Sequence, residues 1–218
     1  METPHYDHLT PQDYEKVYEP AEDTFLLLDA IEDNLEYLKS IQPGICVEIG
    51  SGSGLVITAL SQQFPNAVCL STDINQWACN TTKRTALRNQ ASVDPIRTNL
   101  LDNIRDKLVD VLLFNPPYVV TTDDELNHKE RNFDSEKTDN NLIYSWAGGV
   151  DGRRVIDALI DKLDSILSPN GVLYLLVLKE NNLSDIISKF ACKQFIAVIF
   201  KERRIPGEHL FILKVIRF

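Results

Sequence analysis

Positive charge is scarce in this 218-residue chain. Its 22 Lys and Arg stand against 32 Asp and Glu, a formal net charge of −10. A surface of that sign repels a phosphate polymer at long range, and Lys201, Arg203 and Arg204 make only a small basic cluster. Nucleic acid is therefore not the expected partner. Cysteine is sparse too. Cys46, Cys69, Cys79 and Cys192 form no C-x-x-C pair and read as reduced residues of an intracellular protein. The expected location is the cytoplasm, with the nucleus as an additional site. The four histidines, His5, His8, His128 and His209, are scattered, so no metal site is expected. No apolar run approaches the roughly 18 residues of a membrane span. The start, Met1-Glu2-Thr3-Pro4-His5, lacks the basic-then-apolar order of a signal peptide, and no membrane association is expected. What remains is an ordinary globular balance of 44% apolar and 25% charged residues. The length suits one α/β domain over residues 1–218, with an N-terminal arm over 1–20.

Strand and helix patterns alternate along the chain. A helix is predicted from about Ala21 to Lys39, then strand Ile45–Ile49, helix Leu55–Phe64, strand Ala67–Thr72 and helix Gln76–Asn89. Strands Pro95–Thr98 and Val109–Phe114 follow, then a helix from about Arg153 to Leu167 stopped by Ser168-Pro169-Asn170-Gly171. Strand Val172–Leu178, helix Leu183–Phe190 and strands Gln194–Lys201 and His209–Ile216 complete the order. Such alternation implies a parallel sheet with helices on both faces. The last two strands have only Glu202 to Glu208 between them, which predicts a hairpin and one antiparallel strand. Between Thr121 and Asn141 the chain is long, polar and acidic, and 121–145 is read as a mobile loop or a solvated insertion.

The most informative residues are Asn115-Pro116-Pro117-Tyr118, directly after the apolar run Val109–Phe114. Neither proline donates a backbone hydrogen bond, and each restricts the residue before it to extended conformations. A stiff corner at a strand end results. The Asn115 side-chain oxygen and a carbonyl near Pro116 can each accept one N–H of a planar amino group, while the Tyr118 ring lies on its flat face. A plain proline turn is the simpler alternative. This tetrapeptide resembles the signature of amino-methyltransferases that act on glutamine amides or nucleobases.

A second motif strengthens the reading. Cys46-Val47-Glu48-Ile49-Gly50-Ser51-Gly52-Ser53-Gly54 is a strand entering a glycine turn before a helix. Its G-x-G-x-G spacing after Glu48 is not the dinucleotide G-x-G-x-x-G, and it resembles the S-adenosylmethionine loop of class I methyltransferases. Asp73 ends the next strand, where an acid can accept both ribose hydroxyls; capping the following helix is the alternative. Ile74 would then sit against the adenine. Relatives place Asp where Asn99 stands. Asn99, followed by Leu100, can still accept the adenine amino group, and Asp102 is the alternative.

Near the N-terminus, Val17-Tyr18-Glu19-Pro20-Ala21-Glu22-Asp23-Thr24-Phe25 leads into an apolar helix, and its acids suit the helix dipole. Tyr-Glu-Pro-Ala-Glu-Asp-Thr also resembles one branch, the short-form eukaryotic and archaeal HemK-like release-factor glutamine methyltransferases. Trp146-Ala147-Gly148-Gly149, Gly152-Arg153 and Lys179-Glu180-Asn181-Asn182 match that branch as well. The resemblance implies a Rossmann-like, seven-stranded class I methyltransferase fold, a mostly parallel sheet with one antiparallel strand. It implies S-adenosylmethionine as cofactor, lined by Tyr18, Pro20 and Thr24 as well as Glu48, Gly50, Gly52, Gly54, Asp73, Ile74, Asn99, Leu100 and Asn115. It implies substrate contact by Asn115, Pro116, Pro117 and Tyr118, with Asn115, Pro116 and Tyr118 carrying the chemistry. The implied substrate is the Gly-Gly-Gln loop of the class I translation termination factor. The implied partner is a small zinc-binding activator at a sheet edge near Pro95–Thr98. N6 of adenine in DNA or RNA, a protein lysine, and a non-catalytic cofactor-binding module are the alternatives.

Overall fold

The computed structural model describes residues 1–102, 104–122, 142 and 145–218. The reading of 121–145 as a mobile loop therefore lies largely outside the described residues. Seven strands form one sheet: β1 Ile45–Ile49, β2 Val68–Asp73, β3 Asp94–Arg97, β4 Val109–Phe114, β5 Leu167–Leu178, β6 Phe195–Ile205 and β7 Glu208–Arg217. Their order is β3-β2-β1-β4-β5-β7-β6. The first five strands run parallel, and β7 is antiparallel to both β5 and β6. The expected single antiparallel strand is β7.

Alternation along the central strands splits the core in two. Cys46, Val111, Leu113, Tyr174 and Leu176 face one way. Val47, Leu112, Phe114, Leu173 and Leu175 face the other. The first face is covered by helices α2 (Glu22–Asp33), α3 (Leu35–Ile41), α4 (Leu55–Gln63) and α5 (Gln76–Arg88), through residues such as Leu27, Ile31, Leu38, Ile57 and Leu60. The second is covered by α6 (Arg154–Ile166) and α7 (Leu183–Cys192), through Ile156, Leu163, Ile186 and Phe190. A short helix α1, Pro11–Tyr14, interrupts the N-terminal arm.

Three boundaries differ from the sequence reading. The helix expected from Ala21 to Lys39 breaks at Asn34, whose φ and ψ of −107° and 14° leave the helical region. Its buried side-chain amide donates instead to the Tyr174 hydroxyl inside the sheet. β5 starts at Leu167 rather than Val172. Ser168-Pro169-Asn170-Gly171 does stop α6, but the strand already begins at Leu167 opposite Val109, and these four residues form the bulge before pairing resumes with Val172 opposite Val111. Ser168 Oγ donates to Asp110 there, at 2.6 Å. The β6–β7 hairpin extends to a turn at Pro206-Gly207, its ladder running on through Ile205 opposite Glu208, and Arg203 of the extension is paired on α2 with Asp29 (2.5 Å) and Glu22 (2.7 Å).

The strand order sets where a ligand can enter. From β1 the chain steps outward through β2 and β3, then returns to lay β4 on the other side of β1. Connections on the two sides diverge at such a reversal, and a crevice opens at the carboxyl ends. Register brings those ends level: Ile49 pairs with Thr72 and with Phe114, and Asp73 pairs with Arg97.

Candidate active site

Because the ends are level, Gly50, Asp73, Thr98 and Asn115 leave four adjacent strands together. The Gly50 amide donates to Thr72 O at 2.7 Å, and the Thr98 amide to Asp73 O at 3.0 Å. A cavity of about 400 Å³ lies over them. The arm closes one side with Lys16, Val17 and Tyr18. It is tied there by Asn75 Nδ2 donating to Lys16 O (2.7 Å) and by the Arg84–Asp13 ion pair (2.6 Å).

Most predicted cofactor residues share this wall: Tyr18, Thr24, Glu48, Gly50, Gly52 and Asp73, then Ile74, Asn99, Leu100 and Asn115. Pro20 and Gly54 do not line it. Gly54 has a different task. Its φ is +76°, and a Cβ would stand 2.5 Å from Thr82 Cα, so it allows α4 to start against α5. Glu48 spends Oε2 on the Ile57 amide at 2.9 Å, capping α4 from the strand side, and its carboxyl still reaches the cavity. Burial, with Asp73 nearby, pushes the Glu48 pKa well above the usual carboxylate range. Burial also raises Asp73, against hydrogen bonds from the Asn75, Gly52 and Ile74 amides. Asp73 does not cap α5; Asn75 does, accepting from the Trp77 amide at 3.0 Å. Of the two adenine candidates, Asn99 is on the wall. Asp102 is turned away into an ion pair with Lys162 at 2.7 Å.

The substrate end is built around Asn115. Its Nδ2 donates to Asp23 Oδ2 at 2.9 Å, and the Tyr118 hydroxyl donates to the same oxygen at 3.1 Å. Asn115 Oδ1 is buried and has no hydrogen-bond partner among the described residues. Pro117 and Tyr118 line the cavity, whereas Pro116 is buried behind them. Burial beside Asp23 pushes the pKa of both Tyr118 and Tyr18 upward, which keeps the phenols protonated.

The remaining motif residues brace this corner. Val119 bridges Ala147 in parallel, with the Val119 amide on Trp146 O (2.9 Å) and the Gly148 amide on Val119 O (2.8 Å). Buried Asn181 donates through Nδ2 to Tyr118 O and Asp151 O, both at 2.9 Å, and accepts from the Leu178 amide at 2.7 Å. A Cβ on Gly152 would lie 1.9 Å from Tyr118 O. Sequence reasoning missed Asp23 as the partner of Asn115, although it stands in the Glu-Asp-Thr segment. It also missed Glu208, which the hairpin brings to the cavity and which has no motif of its own.

Comparison with known proteins agrees with this geometry. Residues 23–138 match the family described as Methyltransferase small domain. The human protein named Methyltransferase HEMK2 is 38% identical over 216 residues, covering 97% of this chain and 95% of the relative. The chain belongs to this methyltransferase family. A second member, the eRF1 methyltransferase catalytic subunit mtq2 of Schizosaccharomyces pombe, is 34% identical, covering 100% of this chain and 96% of the relative. Among solved structures, Mtq2 in the E. cuniculi Mtq2–Trm112 complex superposes with a TM-score of 0.67 at 30% identity, over 93% of this chain and 99% of that one. That complex is described as responsible for methylation of the eRF1 translation termination factor. The methyltransferase described here thus has both the family's sequence and its fold.

Proposed function

We propose that this chain methylates the side-chain nitrogen of a glutamine, the one in the Gly-Gly-Gln loop of the class I translation termination factor, with S-adenosylmethionine as methyl donor. The single observation that carries the reading is Asn115 Oδ1, a buried acceptor with no partner among the described residues, held at a strand end beside Tyr118. A buried polar atom left unpaired is costly, and an incoming N–H relieves that cost. The fission yeast and E. cuniculi relatives, described as methylating eRF1, support it, and the human relative is a methyltransferase. We place the reaction in the cytoplasm.

The cavity suits the cofactor. Next to the half-buried Asp73 carboxylate, Gly52 has, among the described residues, only Val17 Cγ1, at 4.0 Å, near the place of a Cβ, so a ligand can approach the backbone closely. Asp73 would hold the ribose hydroxyls, Asn99 the adenine amino group, and Glu48 and Gly50 the methionine end. When bound, the cofactor supplies an electrophilic methyl group whose bond to sulfur breaks as the bond to nitrogen forms. An amide nitrogen is a poor nucleophile, because its lone pair is delocalised into the carbonyl. Asn115 Oδ1 accepts one amide hydrogen, and the backbone of the proline corner accepts the other. These bonds aim the nitrogen and stabilise the positive charge that develops on it. The released proton leaves through an accepting oxygen to water. Catalysis then comes from positioning and from fixed dipoles.

A small zinc-binding activator subunit completes the proposal. Its place is the edge strand β3, where Val68 of β2 and Leu87 of α5 are exposed nearby.

The test is methyl transfer from labelled cofactor to termination factor, with the methyl located by mass spectrometry. Methylation of the loop glutamine is expected. Asn115→Ala should lower kcat by about 10²–10³-fold, the cost of losing one aligned polar group at a reacting centre. Transfer to lysine or RNA instead of glutamine, or an undiminished rate in Asn115→Ala with cofactor saturating, would overturn the proposal.

A further inference from the structure

An asparagine amide has two ends of nearly equal size, one donating and one accepting, and packing alone scarcely distinguishes them. The methyl-transfer reading needs the accepting end of Asn115 to face the substrate. Something must therefore set which way round this amide sits, and the structure contains a group suited to do so. Asp23 lies in the first turn of α2, where the helix dipole favours a negative charge. Its side chain is buried, at 3% exposure. Oδ1 accepts from the Thr24 amide at 2.7 Å and from Thr24 Oγ1 at 3.3 Å, which fixes the carboxylate plane. Oδ2 accepts from Asn115 Nδ2 at 2.9 Å and from the Tyr118 hydroxyl at 3.1 Å.

We propose that Asp23 is a positioning residue whose carboxylate dictates the orientation of the Asn115 amide, so that Asn115 presents only its carbonyl oxygen to the substrate. An ionised carboxylate has acceptors alone. It takes the Asn115 NH2 and repels the oxygen. Turning the amide over would put two acceptors in contact and would aim the NH2 at the substrate's own NH2. Asn115 makes no other side-chain hydrogen bond among the described residues, so this one contact decides between the two orientations. The same carboxylate also ties Tyr118 to Asn115, so the asparagine and the aromatic ring of the motif move as one unit.

This inference rests on the methyl-transfer reading, and a reciprocal exchange tests it. In Asp23→Asn the new amide can satisfy Asn115 in either orientation, and kcat should fall by about 10²-fold with a much smaller change in KM for the cofactor. Asn115→Asp alone sets two carboxylates against each other and should be at least as impaired. In the double variant D23N/N115D the two groups trade places. The amide on α2 donates to one oxygen of the carboxylate at the strand end and leaves the other oxygen facing the substrate. Its kcat should recover by about tenfold over either single variant, a coupling that a purely structural loss does not produce. A double variant no better than the worse single one, or an Asp23→Asn enzyme as fast as wild type, would overturn the proposal. A second measurement stands apart from activity and from the folding of any variant. In 15N-labelled wild-type protein, the Asn115 side-chain NH2 hydrogens should exchange with solvent far more slowly than those of exposed asparagines. Equally fast exchange contradicts the proposal even if glutamine is methylated. Slow exchange without any methylation would leave the Asp23 contact standing and count against the glutamine reading alone.

Discussion

Glu48 and Asp73 both line the cofactor cavity, and burial raises the pKa of each. The sign of the consequence follows directly. A carboxyl whose folded pKa lies above its unfolded value stabilises the empty protein at low pH, and that contribution is lost as pH rises through the raised value. A ligand that donates hydroxyl groups to Asp73 prefers the ionised form. Its affinity should therefore rise with pH over the same interval, and the thermal shift it causes should be larger at about pH 8 than at about pH 5. Asp73→Asn should weaken S-adenosylmethionine binding at about pH 8 by roughly 1.5–3 kcal/mol, typical of hydrogen bonds to a charged acceptor. It should also shrink the pH dependence, leaving the share of Glu48. Calorimetry across pH on both proteins measures this, and identical pH profiles would remove Asp73 from the ribose site. Asp73 was legible from its strand end and its spacing after the glycines. The partner of Asn115 was not, because Asp23 and Asn115 are far apart in the chain and only the packing of α2 on the sheet brings them together.

At the level of elements, the glycine loop divides its work. Gly52 borders the cavity with free space beside it, while Gly54 is wedged against α5. Both have positive φ, so an alanine at either is strained by about 1–2 kcal/mol. At Gly54 the Cβ also collides with Thr82 backbone and side chain. Gly54→Ala should therefore lower the melting temperature clearly, with about 2–4 kcal/mol lost. Gly52→Ala should cost less stability, and Gly52→Val should lose cofactor binding because the larger side chain enters the cavity. Thermal unfolding and calorimetry separate the two, and equal stability losses would contradict the division. The sequence motif groups both glycines as ligand contacts. Only the position of α5 shows that the second one is there for helix packing. The same reason explains Trp146-Ala147-Gly148-Gly149, Gly152-Arg153 and Asn181. They resemble the family as sequence, yet Asn181 and Gly152 reach the carbonyl of Tyr118, and residues 146–148 reach Val119, only because three segments meet.

For the whole molecule, the sheet ends on a short strand, β3, flanked by exposed apolar side chains. An edge of this kind pairs readily with another strand. Produced alone, the chain should be poorly soluble or nearly inactive, and co-expression with the activator should restore both solubility and turnover. Size-exclusion chromatography and the methylation assay check this together. A soluble, fully active monomer at micromolar concentration would remove the edge-strand argument.

By itself the sequence determined the alternation of strands and helices, the stiff Asn-Pro-Pro-Tyr corner, the glycine turn and the acid at the end of β2. Each follows from local rules: side-chain periodicity, the fixed φ of proline and the freedom of glycine. Tertiary structure decided the rest. Strand order put four carboxyl ends level around one crevice, a hairpin held on α2 by Arg203 carried Glu208 to its mouth, and α2 laid Asp23 against Asn115. Those contacts join residues far apart in the chain, and burial strengthens the one between Asp23 and Asn115, since a carboxylate removed from water orients its neighbours far more firmly than one in solvent.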